Sequence, residues 1–210
     1  MRNILLILCV MVGLMAQAQY KGYKPVADIN SFKAAFTAAS QKIQSIKSDF
    51  VQEKNLSLLS EKIVSRGKFW FRKENLVRME YQHPFRYLMI INGNNVYVKD
   101  GQKENKVSTK SNKLFQKVNR LTVDCVQGTI FSNPDFKVKA FENGQQYLVE
   151  MIPVAKGLTE FFSKILVTVD RKDYSVANIN MIEQGGDNTL ISFQQKEINV
   201  SIADAVFAHQ

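Results

Sequence analysis

Three stretches of this chain, Phe69-Trp70-Phe71, Leu88-Met89-Ile90-Ile91 and Ile165-Leu166-Val167, are apolar on consecutive residues within segments that read as strands. Successive strand side chains point to opposite faces, so each stretch needs cover on both sides of its sheet. An antiparallel sheet with one wet face would alternate apolar and polar residues instead. Any fold for this chain must therefore hide more strand surface than a single-faced sheet does.

The surrounding segments supply the strands. Phe50 to Lys54 begins one and Val64 to Arg72 forms another. Leu76 to Tyr81 alternates cleanly, with Val77, Met79 and Tyr81 on one face. Asn92-Gly93-Asn94-Asn95 is a hairpin signal between Tyr87–Ile91 and Val96–Val98. Strands resume at Phe136–Ala140, Tyr147–Ile152, Ile165–Val169, Val176–Glu183 and Thr189–Phe193, with turns at Asn143-Gly144 and Gly185-Gly186-Asp187-Asn188. Two helices are expected beside about ten strands. The first follows the capping chemistry of Asp28-Ile29-Asn30-Ser31, and Phe32, Ala35, Phe36, Ala39, Ile43 and Ile46 form its stripe. The second runs from Lys110 to Gln127, with Leu114, Val118, Leu121 and Cys125 on one side. Two helices are little cover for so many two-faced strands. A tightly curved sheet, a dimer interface, an ordinary packed core and an incompletely filled interior all remain open on patterning alone. An unfilled interior would suit an acyl chain, because sixteen carbons carry about 12 kcal/mol of incentive to leave water.

The chain's start is a separate matter. Met1-Arg2-Asn3, the apolar run Ile4–Met15 and the small residues of Ala16-Gln17-Ala18 have the layout of a cleaved export signal. The run is shorter than the ~20 residues of a membrane-spanning helix. Residues 1–18 are expected to be removed in export to the periplasm, leaving 19–210 as one domain without linker or repeat. Removing Arg2 takes the formal charge from +9 to +8. Removing Cys9 leaves Cys125 as a lone thiol with no internal disulfide partner, expected to sit in the core.

From Ser45 onward, the residues resemble the LolA family, the periplasmic carriers of outer-membrane lipoproteins. Ser48-Asp49-Phe50-Val51-Gln52 is similar to that family's S-x-F-x-Q strand, and Gly67 to Leu76 to its G-x-L-W-x-x-R-P-N-L segment. Gln82-His83-Pro84 and Asn92 to Tyr97 resemble its next elements, as do Tyr147–Pro153, Val169-Asp170 and Gly186-Asp187 before Thr189–Phe193. The resemblance implies an α+β fold: an incomplete antiparallel β-barrel whose helices cover a hydrophobic cavity. It also implies carriage of acylated lipoproteins, without a chemical step, from an inner-membrane transporter to an outer-membrane acceptor. Carried over by position, the lipid-binding residues are Phe36, Ile43, Phe69, Phe71, Val77, Met79 and Tyr81. A charge at Val77 is then expected to block uptake while leaving the fold intact. The family's lid-holding arginine falls on Lys73 and its proline on Glu74, which keeps the charge but loses the planar fork of donors. Another envelope lipid or glycolipid as cargo, or a lipid-sensing interaction module, are the alternatives on the same scaffold.

Lys99, Lys103, Lys106, Lys110, Lys113, Lys117 and Arg120 are opposed locally only by Asp100 and Glu104. Lys110, Lys113, Lys117 and Arg120 would share one side of the second helix, either as a solvated face or as a docking face for anionic headgroups or an acidic partner. Export disfavours nucleic acid as the partner. The two histidines, His83 and His209, stand in a turn and beside the terminus, and no hydrolase, nucleotide-binding or metal motif occurs. No catalytic residue, cofactor or metal is expected, and the carrier is expected to be a monomer.

Overall fold

A computed structural model describes residues 19–58, 61–73, 75–93, 95–101, 103–107 (backbone only), 121, 123–125 and 127–208. The export signal, Glu74, His209 and the basic side of the second helix (Lys110, Lys113, Lys117 and Arg120) lie outside these residues.

Helix α1 covers Ile29–Lys42. Its cap is Asp28, rather than the neighbouring Asn30 or Ser31. The Asp28 carboxylate accepts the N–H groups of Asn30 and Ser31, each at 3.0 Å, and the Ser31 hydroxyl at 2.7 Å. Donation from Ser31 holds this carboxyl below its usual range. Phe32, Phe36 and Ser40 form the buried side of α1. Leu121, Val123, Asp124, Cys125 and Gln127 are helical, where the second helix is expected to end.

The described strands are β1 (Lys24–Pro25), β2 (Ser45–Asn55), β3 (Lys62–Arg72), β4 (Leu76–His83), β5 (Tyr87–Asn92), β6 (Asn95–Asp100), β7 (Lys103–Val107), β8 (Phe136–Glu142), β9 (Gln146–Pro153), β10 (Phe162–Asp170), β11 (Val176–Glu183) and β12 (Asn188–Ile198). They form one sheet in the order β1-β8-β9-β10-β11-β12-β2-β3-β4-β5-β6-β7, every described pairing being antiparallel. Two meanders, β2–β7 and β8–β12, are joined by the β12–β2 pairing. The outer strands β1 and β7 do not pair with each other, so the sheet is open. These two are the strands that patterning missed. β1 has only two residues, and Lys103-Glu104-Asn105-Lys106-Val107 in β7 is almost wholly polar. An edge strand packed on one side needs no alternating signal, and charge there opposes edge-to-edge association.

Register aligns the apolar residues into rows across the strands. Ile46, Phe71, Val77, Ile91 and Val96 are successive partners from β2 to β6. Phe69, Met79, Met89 and Val98 form the next row, and Phe50, Gly67, Tyr81 and Tyr87 the third. In the other meander Ala140, Val149, Val167, Ile179 and Ile191 line up in the same way. The opposite face of β4 and β5 is covered by the C-terminal segment, whose 3-10 turn Asp204–Phe207 packs on both strands. Arg72 donates to the Ile202 carbonyl at 2.8 Å, and Arg78 to the Val206 carbonyl at 3.1 Å. Phe207 and Ile90 are both buried. The far face of β4 and β5 is therefore covered by the chain's own C-terminal segment, while the inward face packs in a cluster that includes Ile43 and Val123.

Candidate functional site

The interior divides into two apolar clusters. One combines Phe32 and Phe36 of α1, Leu121 and Cys125 of the second helix, and the inward residues of β8–β11. The other holds Ile43, Ile46, Phe50, Phe69, Phe71, Val77, Met79, Ile91, Val96, Val123 and Ile191. Met181 and Phe193 pack against both. Val123 faces the second cluster while Leu121 and Cys125 face the first, so the second helix straddles the boundary.

A cavity of about 20 Å³ lies at that seam, bounded by Ile43, Ile46, Phe69, Cys125, Tyr174, Ser175, Val176, Phe193 and Lys196. It has room for about one water molecule. Of the residues expected to bind lipid, Ile43 and Phe69 reach this cavity. Phe71, Val77 and Met79 are packed within the same cluster, and Tyr81 lies against it. Phe36 belongs to the other cluster and is fully buried. The Tyr81 hydroxyl donates to Gln52 Oε1 at 2.9 Å, and burial pushes the phenol well above its ordinary range. Val77 is 1% exposed. A charge there would be buried among Phe71, Met79 and Ile91.

Sequence reasoning missed Tyr174, Ser175, Val176, Phe193 and Lys196 as cavity residues. Tyr174 and Ser175 stand in the turn before β11 and Lys196 near the end of β12, outside the strand segments read from the sequence. Cys125 is 1% exposed, and burial reinforced by the neighbouring Asp124 pushes its thiol far up. Such a thiol has little thiolate with which to react.

Polar contacts gather at the C-terminal end of α1. Lys73 Nζ donates to the Gln41 carbonyl at 2.5 Å, placing a cation at the negative end of the helix dipole. The Lys73 N–H donates to the Gln44 carbonyl at 2.8 Å. Asn199 Nδ2 donates to the Lys42 carbonyl at 3.2 Å, while its Oδ1 accepts the Gln44 N–H at 2.7 Å. Midway, α1 presses on Gly128, where an added Cβ would lie 2.6 Å from Ser40 Cβ. Gly128 has φ +73, and its carbonyl accepts the Thr37 hydroxyl at 3.3 Å. Among the described residues no group of three or more His, Cys, Asp or Glu could hold a metal ion.

A sequence profile of the family described as outer membrane lipoprotein carrier protein LolA matches residues 41–210. The chain belongs to the LolA family. No curated protein matches this LolA-family chain in sequence. Among solved structures, an uncharacterized conserved protein from Thermus thermophilus is similar at 6% identity and a TM-score of 0.53, over 86% of this chain and 93% of that one. MucB is similar at 13% identity and 0.51, over 86% of this chain and 62% of that one. A LolA superfamily protein from Nitrosomonas europaea matches at 10% identity and 0.47, over 84% and 97%. At such identities the first two likenesses establish the fold alone.

Proposed function

We propose that the mature chain, beginning at Gln19, is a single-domain periplasmic carrier that shelters lipid acyl chains between the inward face of its sheet and α1. Membership of the family described as lipoprotein carriers makes acylated lipoproteins the first cargo to test. The observation that carries the reading is the seam. Two apolar clusters meet at a small cavity, beside the C-terminal end of a helix held there by a handful of polar contacts. A packed interior can admit a tail only by parting along such a boundary. Transfer of a sixteen-carbon chain out of water offers about 12 kcal/mol toward that opening, to set against the polar contacts at the end of α1 and the burial of Phe32 and Phe36 in the first cluster. No catalytic group is needed, because apolar transfer is non-directional. Release would follow when a partner offers the tail a better environment, since only differential affinity shifts such an equilibrium. An inner-membrane transporter and an outer-membrane acceptor are the partners this scheme requires.

The reading is tested by adding the purified mature chain to spheroplasts and assaying the medium for released acylated lipoproteins. Stoichiometric complexes of carrier and lipoprotein are expected; lipoproteins that stay in the membrane at every carrier concentration would remove this cargo. The latch gives a second expectation. Lys73→Met should cost about 1 kcal/mol in urea unfolding, the scale of one helix-end contact. It should also speed uptake of a fluorescent fatty-acyl probe in stopped flow. Unchanged uptake kinetics would mean that α1 is not the part that moves.

A further inference from the structure

β12 does not keep one parity along its length. Ile191 and Phe193 face the interior opposite Gln52 and Phe50, and Ile198 faces it again opposite Ile46. Between Gln194 and Glu197 the register slips, so Gln195 and Lys196 together occupy the place opposite Ser48. Gln195 takes the left-handed conformation, φ +50, and the buried Ser48 hydroxyl donates to the Gln194 carbonyl at 2.8 Å. An inserted strand residue reverses the facing of everything after it. Lys196 thereby shares the inward parity of Ile198 and borders the seam cavity. A regular strand would have turned it to solvent.

The ammonium so placed donates to Ser175 Oγ at 2.5 Å and to the Val176 carbonyl at 3.2 Å. Ser175 is itself 1% exposed. An ammonium has three N–H donors, and among the described residues no carboxylate forms an ion pair with this one. Burial lowers its pKa from the usual range, which Asp173 and Asp170 offset from a distance. The other side chains bounding the cavity are apolar or aromatic, apart from the Ser175 hydroxyl. A half-buried cation without a carboxylate partner, at the rim of an apolar seam, is a costly arrangement to hold empty. It suits a ligand that brings both a negative head and a hydrocarbon tail.

We propose that Lys196, with Ser175 beside it, is the headgroup site for an anionic amphiphile, phosphate- or carboxylate-headed, whose tail enters the seam between the two clusters. The site rests on the tail-binding reading above and adds to it a preference for cargo with a negative head.

The test is binding of four probes to the mature chain by calorimetry, the amphiphiles kept below micelle formation. They are dodecyl phosphate, dodecanol, dodecyltrimethylammonium and inorganic phosphate. Dodecyl phosphate should bind about tenfold or more tighter than either other amphiphile, the scale of one charge-assisted hydrogen bond. Lys196→Met should bring it to the level of dodecanol, and Lys196→Arg should keep the preference. If all three amphiphiles bind alike, or if Lys196→Met keeps the preference, the headgroup site is wrong while tail binding stands. If inorganic phosphate binds as tightly as dodecyl phosphate, the site takes a free anion and the amphiphile proposal fails. If no amphiphile binds, the tail-binding reading fails with it. Should Lys196→Met not fold, the wild-type ranking decides: phosphate head first supports the site, and any other order overturns it.

Discussion

Gly67→Ala is expected to destabilise the protein by about 3 kcal/mol or more, at the upper end of overpacking costs. The reason is space rather than backbone conformation. A Cβ on Gly67 would lie 2.0 Å from the Glu80 carbonyl oxygen and 2.8 Å from its carbon, both backbone atoms of β4. It would also lie 2.9 Å from Phe50 Cε1. Gly67 pairs with Phe50 on one side and Tyr81 on the other, and the β3–β4 register shifts between Arg66 and Gly67. The missing side chain lets the Phe50 ring lie across β3 and meet Tyr81 edge-on, with centroids 4.9 Å apart. Relief would need one strand to move, and β3 is hydrogen-bonded on both sides. Urea unfolding of Gly67→Ala beside Lys68→Ala gives the comparison. The Lys68 change should cost well under 1 kcal/mol, because its half-exposed pair with Asp49 is a surface contact. Equal midpoints for the two variants would mean that β3 and β4 do not approach this closely.

Val77→Glu is expected to destabilise the protein severely at neutral pH. Val77 sits between Phe71 and Ile91 in the row that crosses β2–β6, with no polar neighbour in that row. A carboxyl introduced there has its folded pKa raised, because burial disfavours the charged form. The penalty therefore grows as pH rises above the unfolded value near 4.3 and is complete above the folded value. A rise of about three units, within the range seen for buried glutamates, corresponds to roughly 4 kcal/mol, added to the cost of inserting a polar group. Denaturant midpoints should therefore separate from wild type far more at pH 7 than at pH 4.5. A variant as stable as wild type at pH 7 would show that this part of the interior is open to water.

The rows of the sheet were legible because alternation survives wherever a strand packs against a core on one side. Val77, Met79 and Tyr81 announced their common face in this way, and the Asn92–Asn95 turn fixed the hairpin. The edge strand β7 was not legible, since nothing about an outermost polar strand requires a period. The inward turn of Lys196 was equally hidden. It depends on a bulge at Gln195, a residue whose sequence carries no glycine to mark a left-handed backbone. The pairing of apolar rows said which residues face inward, but not that the two clusters would meet at a seam bounded by Ile43, Phe69 and Cys125. The cover on the far face by Ile202 and Phe207 comes from residues remote in sequence, so local pattern could not supply it.

The most direct measurement is photo-crosslinking with a triacylated lipopeptide carrying a diazirine at the end of one acyl chain, followed by peptide mapping. If hydrocarbon enters along the seam, the label should fall on α1, the inward residues of β3 and β4, and the Ile43–Phe69–Phe193 boundary. Labelling confined to exposed apolar residues such as Leu58 and Phe85, with none inside, would contradict the carrier account.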